Sequence, residues 1–255
     1  MSITAPPSPL VGEVESAPAD REGGETPRVA CPPPFRSRSR TTRLPPQGGK
    51  GGVGVCLPPH PPGLRIGLYG GTFDPLHDGH RHVAETALRR LGLDRVWWIV
   101  TPGNPLKSRR PADREARLAA MRSEIRHPRM QATDIDAQIG TRYTIDTIRF
   151  LQRRCPGVRF VWIMGADSLS GFDRWRYWRQ IAASIPIAVI DRPGYTLPGL
   201  SSRMARTFAA ARLPGRSVRA LADQKAPAWV FLFGRRSGLS STALRDKSSR
   251  MRTMR

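Results

Sequence analysis

The chain has 255 residues, 39% of them hydrophobic, and a formal net charge of +22. That is room for one α/β domain with extensions, and the charge points to polyanionic ligands, whether a phosphate-rich small substrate or nucleic acid. No apolar run approaches the roughly 18 residues of a membrane span, and no continuous apolar stretch of the signal-peptide kind opens the chain, so a cytoplasmic protein with no membrane partner is expected. The three cysteines (Cys31, Cys56, Cys155) have no metal-ligand spacing and argue against a zinc site or a disulfide framework.

Residues 1–63 hold 14 of the 25 prolines and 9 of the 24 glycines and show neither helical nor strand periodicity. Such a segment buries too little apolar surface to offset its ordering entropy, and it is read as a disordered low-complexity tail ahead of a single domain over 64–255. The domain itself is strongly basic, with 35 basic against 15 acidic residues, and only four of the chain's basic residues are lysines. Within the tail, "GGKGGVGVC" (48–56) has the glycines of a phosphate loop. It lacks the Lys and Ser/Thr that must follow the last glycine, and "LPPHPPG" cannot open a helix.

From Leu64 the pattern is regular. "LRIGLY" (64–69) predicts a strand, and "GHRHVAETALRRL" (79–91) a helix with Val83, Ala84, Ala87, Leu88 and Leu91 on one face. "RVWWIVT" (95–101) predicts a second strand. "DREARLAAMRSEIR" (113–126) predicts a helix capped by Asp113, and "TIDTIRFLQRR" (144–154) another. "VRFVWIMG" (158–165) and "IPIAVI" (185–190) are continuous apolar runs, as in strands covered on both faces. "AWVFLF" (228–233) predicts one more strand, and "SSTALRDK" (240–247) opens a last helix. Alternating strands and helices imply βαβ units and a mostly parallel sheet. Ligands of such sheets bind at the carboxyl ends of the strands, near the point where strand order reverses. The residues after Tyr69, Val100, Met164 and Phe233 are therefore expected to share one crevice.

The first of those junctions reads "GGTFDPLHDGH" (70–80). Gly70 and Gly71 let the backbone approach a ligand, and Thr72, Phe73 and Asp74 lead into the turn at Pro75. The helix starts near Gly79, so His77 and His80 stand at a helix N-terminus, where free N–H groups and the dipole favour anions. Packing, metal ligation and phosphate contact are the open roles for the two histidines. No further ligand is spaced for a metal. A second anion-type stretch, "GLSSTALRD" (238–246), sets Ser240, Ser241 and Thr242 before a helix with Arg245 one turn on; alone it is an ordinary N-cap.

Together these stretches resemble the HxGH nucleotidyltransferases, with His77-Asp78-Gly79-His80 as the HxGH element and Ser240 to Arg245 as the C-terminal Ser-Thr-Arg motif. Four more stretches are similar to the bacterial nicotinate-nucleotide adenylyltransferases: "TPGNPLK" (101–107), "GTRYTIDT" (140–147), "MGADSLSGFDRW" (164–175) and "DRPGY" (191–195). The resemblance covers about 66–250. It implies a Rossmann-like doubly wound parallel sheet and transfer of AMP from ATP to nicotinate mononucleotide, giving deamido-NAD and pyrophosphate. It implies ATP contacts from Gly70, Gly71, Thr72, Phe73, His77, His80, Gly165, Asp167, Ser240, Ser241, Thr242 and Arg245, with His77, His80 and Arg245 catalytic. Asn104, Lys107, Tyr143, Thr144, Ile145, Trp175 and Arg176 would hold the nicotinate nucleotide. Mg²⁺ is expected with ATP, and no protein-held metal.

The residues themselves fit these roles. Asp167 follows a buried strand, where a carboxylate can hold ribose hydroxyls or, alternatively, cap the next helix. Trp175 offers a flat face to a pyridine ring or packs in the core. Thr144 opens a helix whose first N–H groups can receive a carboxylate. At Arg176 the family often has Tyr, and a guanidinium reaching the pocket would sharpen preference for the acid over the amide. Nicotinamide mononucleotide and phosphopantetheine are the alternative substrates within the superfamily, and a basic nucleic-acid-binding module is the alternative of a different class. The aromatics that such a module would expose sit mostly in apolar strands, so no nucleic acid is expected as a partner.

Overall fold

The computed structural model describes residues 54–102 and 111–234. The expected last helix over 240–247 and residues 1–53 of the expected tail lie outside them.

Six strands form one sheet: β1 (Arg65–Gly71), β2 (Arg95–Val100), β3 (Met130–Thr133), β4 (Arg159–Gly165), β5 (Ile187–Ile190) and β6 (Trp229–Leu232). Their order is β3-β2-β1-β4-β5-β6, and every pairing is parallel. Order therefore reverses between β1 and β4, at the centre of the sheet. Leu68 is flanked by Trp97 on one side and Trp162 on the other. The strands are buried almost throughout, which is why they read as continuous apolar runs rather than alternating ones.

Helices cover both faces. On one face Leu68, Trp97, Ile99 and Trp162 pack with Ile145, Ile148 and Leu151 of α4 (Thr144–Arg154) and Ile181 of α6 (Trp178–Ser184). On the other, Tyr69, Trp98, Val161 and Ile163 pack with Val83, Ala84, Ala87 and Leu88 of α1 (Asp78–Arg90) and with Leu118 and Met121 of α2 (Arg114–Glu124). The sheet is parallel, as expected from the alternation, and the fold is the doubly wound α/β one that the resemblance implied. Asp113 caps α2 through bonds from the Glu115 and Ala116 N–H groups (2.9 and 3.1 Å).

Residues 54–63, assigned above to the tail, contact the sheet domain. Leu57 packs on the first core, His60 meets Trp97 edge-on at 5.9 Å, and Gly63 N–H donates to the Gly157 carbonyl (2.9 Å). Partial burial of that apolar side chain ties residues 54–63 to the sheet domain. Cys155 is a buried free thiol, whereas Cys56 is disulfide-bonded, one link where the spacing pointed to no disulfide framework.

Candidate active site

The strand ends at the reversal of order carry the features picked out in the sequence. β1 runs out through Gly70 and Gly71. A Cβ on Gly70 would lie 2.7 Å from the Trp162 ring of β4, so glycine there is a matter of space. Past Thr72, Phe73 holds φ +47, a left-handed conformation that few non-glycine residues adopt. Its ring is buried against Tyr69 (5.3 Å), Trp98 (5.2 Å) and His80 (5.1 Å, edge-on).

His77 is the N-cap of α1 and His80 lies in the first turn. Their backbones are joined by His80 N–H to the His77 carbonyl (2.8 Å), and their rings stack with centroids 3.8 Å apart and planes 26° from parallel. His77 is buried. Two stacked imidazoles beside the first N–H groups of a thirteen-residue helix form a donor-rich cap suited to anions.

Across the reversal point, β4 ends at Gly165 and is followed by α5 (Ala166–Leu169), which carries Asp167. Asp167 lies inside α5, whose N-cap is Gly165; its carboxylate faces Arg192, 3.5 Å from Nε, an ion pair not closed into a hydrogen bond. Arg192 is buried and also donates from Nη2 to the Gly79 carbonyl, between the two histidines (3.3 Å). Its charge also acts on Tyr69; burial pushes that phenol well above its ordinary range, and the guanidinium partly offsets the shift. Arg192 thus joins α1 and α5 to its own turn after β5. Arg192 belongs to the "DRPGY" stretch, but no role was expected of it. The available signal is its place just past the carboxyl end of a buried strand.

A second cluster adjoins the first through Trp162, whose indole meets Trp175 edge-on at 6.3 Å. Trp175 is half-buried and also packs on Phe172 (5.2 Å). The next residue, Arg176, donates to the Tyr143 and Tyr177 hydroxyls (3.1 and 3.2 Å) with its guanidinium 4.8 and 5.0 Å from the two ring centres. Those contacts hold its pKa above the ordinary value. Tyr143 is the N-cap of α4, Thr144 and Ile145 fill its first turn, and Ile145 is buried. The structure therefore brings Gly70, Phe73, His77 and His80 into one group, Gly165 and Asp167 beside it through Arg192, and Tyr143, Trp175 and Arg176 into an adjoining one. Asn104, Lys107, Ser240, Ser241, Thr242 and Arg245 lie outside the described residues. Among the described residues no group of three His, Cys, Asp or Glu side chains is arranged to hold a metal ion, and no helix is long and apolar enough to cross a membrane.

A doubly wound parallel sheet with a histidine-capped helix at its switch point defines a nucleotide-handling α/β enzyme. Residues 68–247 match the cytidylyltransferase-like family. Over 185 residues the chain is 56% identical to a Methylorubrum extorquens protein named "probable nicotinate-nucleotide adenylyltransferase", covering 72% of this chain and all of that one. A Rhizobium meliloti protein of the same name is 54% identical over 187 residues, 73% of this chain and all of the relative. The chain belongs to the cytidylyltransferase-like nucleotidyltransferases and, within them, to the nicotinate-nucleotide adenylyltransferase family. In fold it is similar to the Plasmodium falciparum nicotinic acid mononucleotide adenylyltransferase solved with NaAD (TM-score 0.53, 16% identity, 72% of this chain and 83% of that one).

Proposed function

We propose that this chain transfers the adenylyl group of ATP to nicotinate mononucleotide, giving deamido-NAD and pyrophosphate. A 5′-phosphate oxygen of the mononucleotide attacks the α-phosphorus in line. The new O–P bond forms as the bond to the bridging α,β oxygen breaks, and that oxygen leaves with pyrophosphate. No covalent enzyme intermediate is needed, so the protein's work is positioning and stabilisation of spread negative charge.

The observation that carries this reading is the stacked His77–His80 pair at the start of α1. Both rings take phosphate oxygens at the reacting centre, beside the helix N–H groups. Gly70 to Phe73 give the backbone approach to ATP. Asp167, held by Arg192, takes the ribose hydroxyls. Trp175 stacks on the pyridine ring, and the first N–H groups of α4 at Thr144 and Ile145 receive its carboxylate. The Tyr143–Arg176 contact fixes the rim of that pocket. Asn104 and Lys107 contribute to the mononucleotide site. Ser240, Ser241, Thr242 and Arg245 hold the β- and γ-phosphates and the leaving pyrophosphate. Mg²⁺ accompanies ATP as part of that substrate, held by phosphate oxygens and water. The relatives' names support the acid mononucleotide as acceptor.

The test is pyrophosphate release from ATP with nicotinate mononucleotide, nicotinamide mononucleotide and phosphopantetheine in parallel. Nicotinate mononucleotide is expected to give the highest kcat/KM. Preference for another acceptor refutes the substrate, and activity with none refutes the reading.

A further inference from the structure

Arg117 lies in α2, outside the site described above, yet it is 5% exposed. Its neighbours Arg114 and Arg122 on the same helix are not buried. Nη1 donates to the carbonyls of Thr72 (2.7 Å) and Thr101 (3.0 Å), and Nε to the carbonyl of Ala112 (2.8 Å). Thr72 and Thr101 are the first residues past β1 and β2. The two strand ends are already joined there by Thr101 N–H to the Gly71 carbonyl (3.0 Å). Ala112 is gripped from both sides, since its N–H donates to Asp74 Oδ2 (3.3 Å). A closed loop of bonds therefore runs from Arg117 to Thr72, along the chain to Asp74, across to Ala112, and back to Arg117.

Phe73 sits inside that loop with φ +47. A bulky side chain holds such a conformation only where its surroundings impose it. The carbonyl before Phe73 is bound by Arg117, and the carboxylate after it is bound to Ala112. The ring so fixed lies edge-on to His80, which stacks on His77. The demand is for a planar fork reaching three carbonyls at once, which a guanidinium supplies and a point-like ammonium does not. Burial pulls the Arg117 pKa down, and Asp74 and Asp113 oppose that; a guanidinium stays charged regardless.

We infer that Arg117 is a positioning residue for the histidine pair: by binding the Thr72, Thr101 and Ala112 carbonyls it holds Phe73, and through Phe73 the His80 ring, in the geometry that receives phosphate. This rests on the assignment of the histidines to phosphate in the proposed reaction. Arg117 touches neither substrate nor reacting atoms; it acts through the Thr72–Asp74 turn.

Arg117→Met removes the fork while keeping an unbranched chain, and Arg117→Lys keeps the charge with a smaller reach. Both are made in the full chain. Circular dichroism and thermal melting check the fold, kcat and KM come from pyrophosphate release, and the histidine ring signals of the unliganded protein come from ¹⁵N–¹H NMR. A displacement near 1 Å at a reacting centre costs about a hundredfold, so Arg117→Met is expected to lower kcat by at least roughly tenfold with both KM values within about threefold. The His77 and His80 ring signals should leave their stacked positions. Arg117→Lys should fall between Met and wild type in both readouts. A folded variant with wild-type kcat, or with unmoved histidine signals, overturns the inference even if its melting temperature drops, because that is the behaviour of a residue that only adds stability. If Arg117→Met does not fold, Arg117→Lys decides by the same criteria. The NMR arm also separates two failures: if no acceptor is turned over by wild type, the reaction was misassigned, while moved ring signals still establish Arg117's hold on the pair.

Discussion

Gly165→Ala is the substitution whose consequence the structure defines most closely. Gly165 has φ −78 and ψ 159, values open to any residue, so alanine costs nothing in the backbone. What it lacks is space. The new Cβ would sit 2.3 Å from Asp167 Oδ1 and 2.9 Å from Arg192 Nε, where ordinary contact begins at 3.4 Å. The carboxylate must retreat by about 1 Å and the guanidinium by about half as much. Asp167 is 35% exposed and can swing toward solvent, so the cost to stability is an off-rotamer side chain at about 0.5–1.5 kcal/mol. The cost to ATP is larger. Hydrogen bonds to a charged carboxylate are worth about 1.5–3 kcal/mol each, so losing their geometry should lower kcat/KM for ATP by roughly 10- to 100-fold.

The assay is initial-rate pyrophosphate release at saturating nicotinate mononucleotide with ATP varied, alongside thermal melting. A double-mutant cycle with Asp167→Ala identifies the cause, because Gly165→Ala should add little once the carboxylate it displaces is gone. Fully additive losses, or an unchanged kcat/KM for ATP in the single variant, would refute both the steric argument and the role given to Asp167.

His80→Ala is expected to lower kcat at least ~100-fold, as when one transition-state donor is removed; a loss confined to KM contradicts the assignment. Arg176→Ala frees the Tyr143 hydroxyl from its partner and should narrow the preference for nicotinate over nicotinamide mononucleotide, measured as the ratio of the two kcat/KM values, and an unchanged ratio removes Arg176 from specificity. Asp136, buried on α3 (Ile135–Gln138), has its carboxyl raised by burial from the ordinary 3.8 to about 6, against the bond it accepts from Thr147 (2.6 Å). The native state then holds a proton that the unfolded chain has lost, so stability should fall as pH rises from about 4 to about 6, by up to ~3 kcal/mol; chemical denaturation of Asp136→Asn should lack that slope, and parallel pH profiles for variant and wild type would show the carboxyl is not its source.

The central part of this fold was legible because its signals are strong and local. Strands covered on both faces read as unbroken apolar runs, and α1 and α4 announce themselves by periodicity, with α4 occupying the expected 144–154. β3 was not legible. It is a four-residue edge strand, Met130–Thr133, with two half-buried central positions, so it has neither an apolar run nor a clean alternation. "RWRYWRQI" did carry amphipathic character, but the boundary of α6 was hidden: a 3₁₀ turn over Phe172–Arg174 and Tyr177 at φ +59 break the run before the helix begins at Trp178. In the site, the candidates named from sequence lie inside motifs spread along the chain, whereas Arg117 lies in no motif and Arg192, inside "DRPGY", carried no expected role. Arg117 could have been noticed only as an arginine four residues from Met121, on the helix face that turns inward.

Arg117 and Arg192 are the buried cations among the described residues, and both serve the carboxyl edge of the sheet. Arg117 binds the ends of β1 and β2; Arg192 joins the start of α1 to the carboxylate after β4. Segments leaving a parallel sheet have no further ladder partner, so their carbonyls need another donor. A guanidinium offers five N–H groups in one plane and remains charged when desolvated, which lets one side chain satisfy carbonyls from several segments. Neither arginine is fully neutralised by a close carboxylate: Arg117's bonds go to carbonyls, and Arg192's carboxylate stands at 3.5 Å. That residual positive charge would be a liability in an ordinary core. Beside the helix N-terminus proposed above to receive the substrates' phosphates it has the sign that such binding requires. The same two side chains therefore hold the loops and place positive charge beside the proposed phosphate site, so strand-end geometry and local potential depend on the same residues.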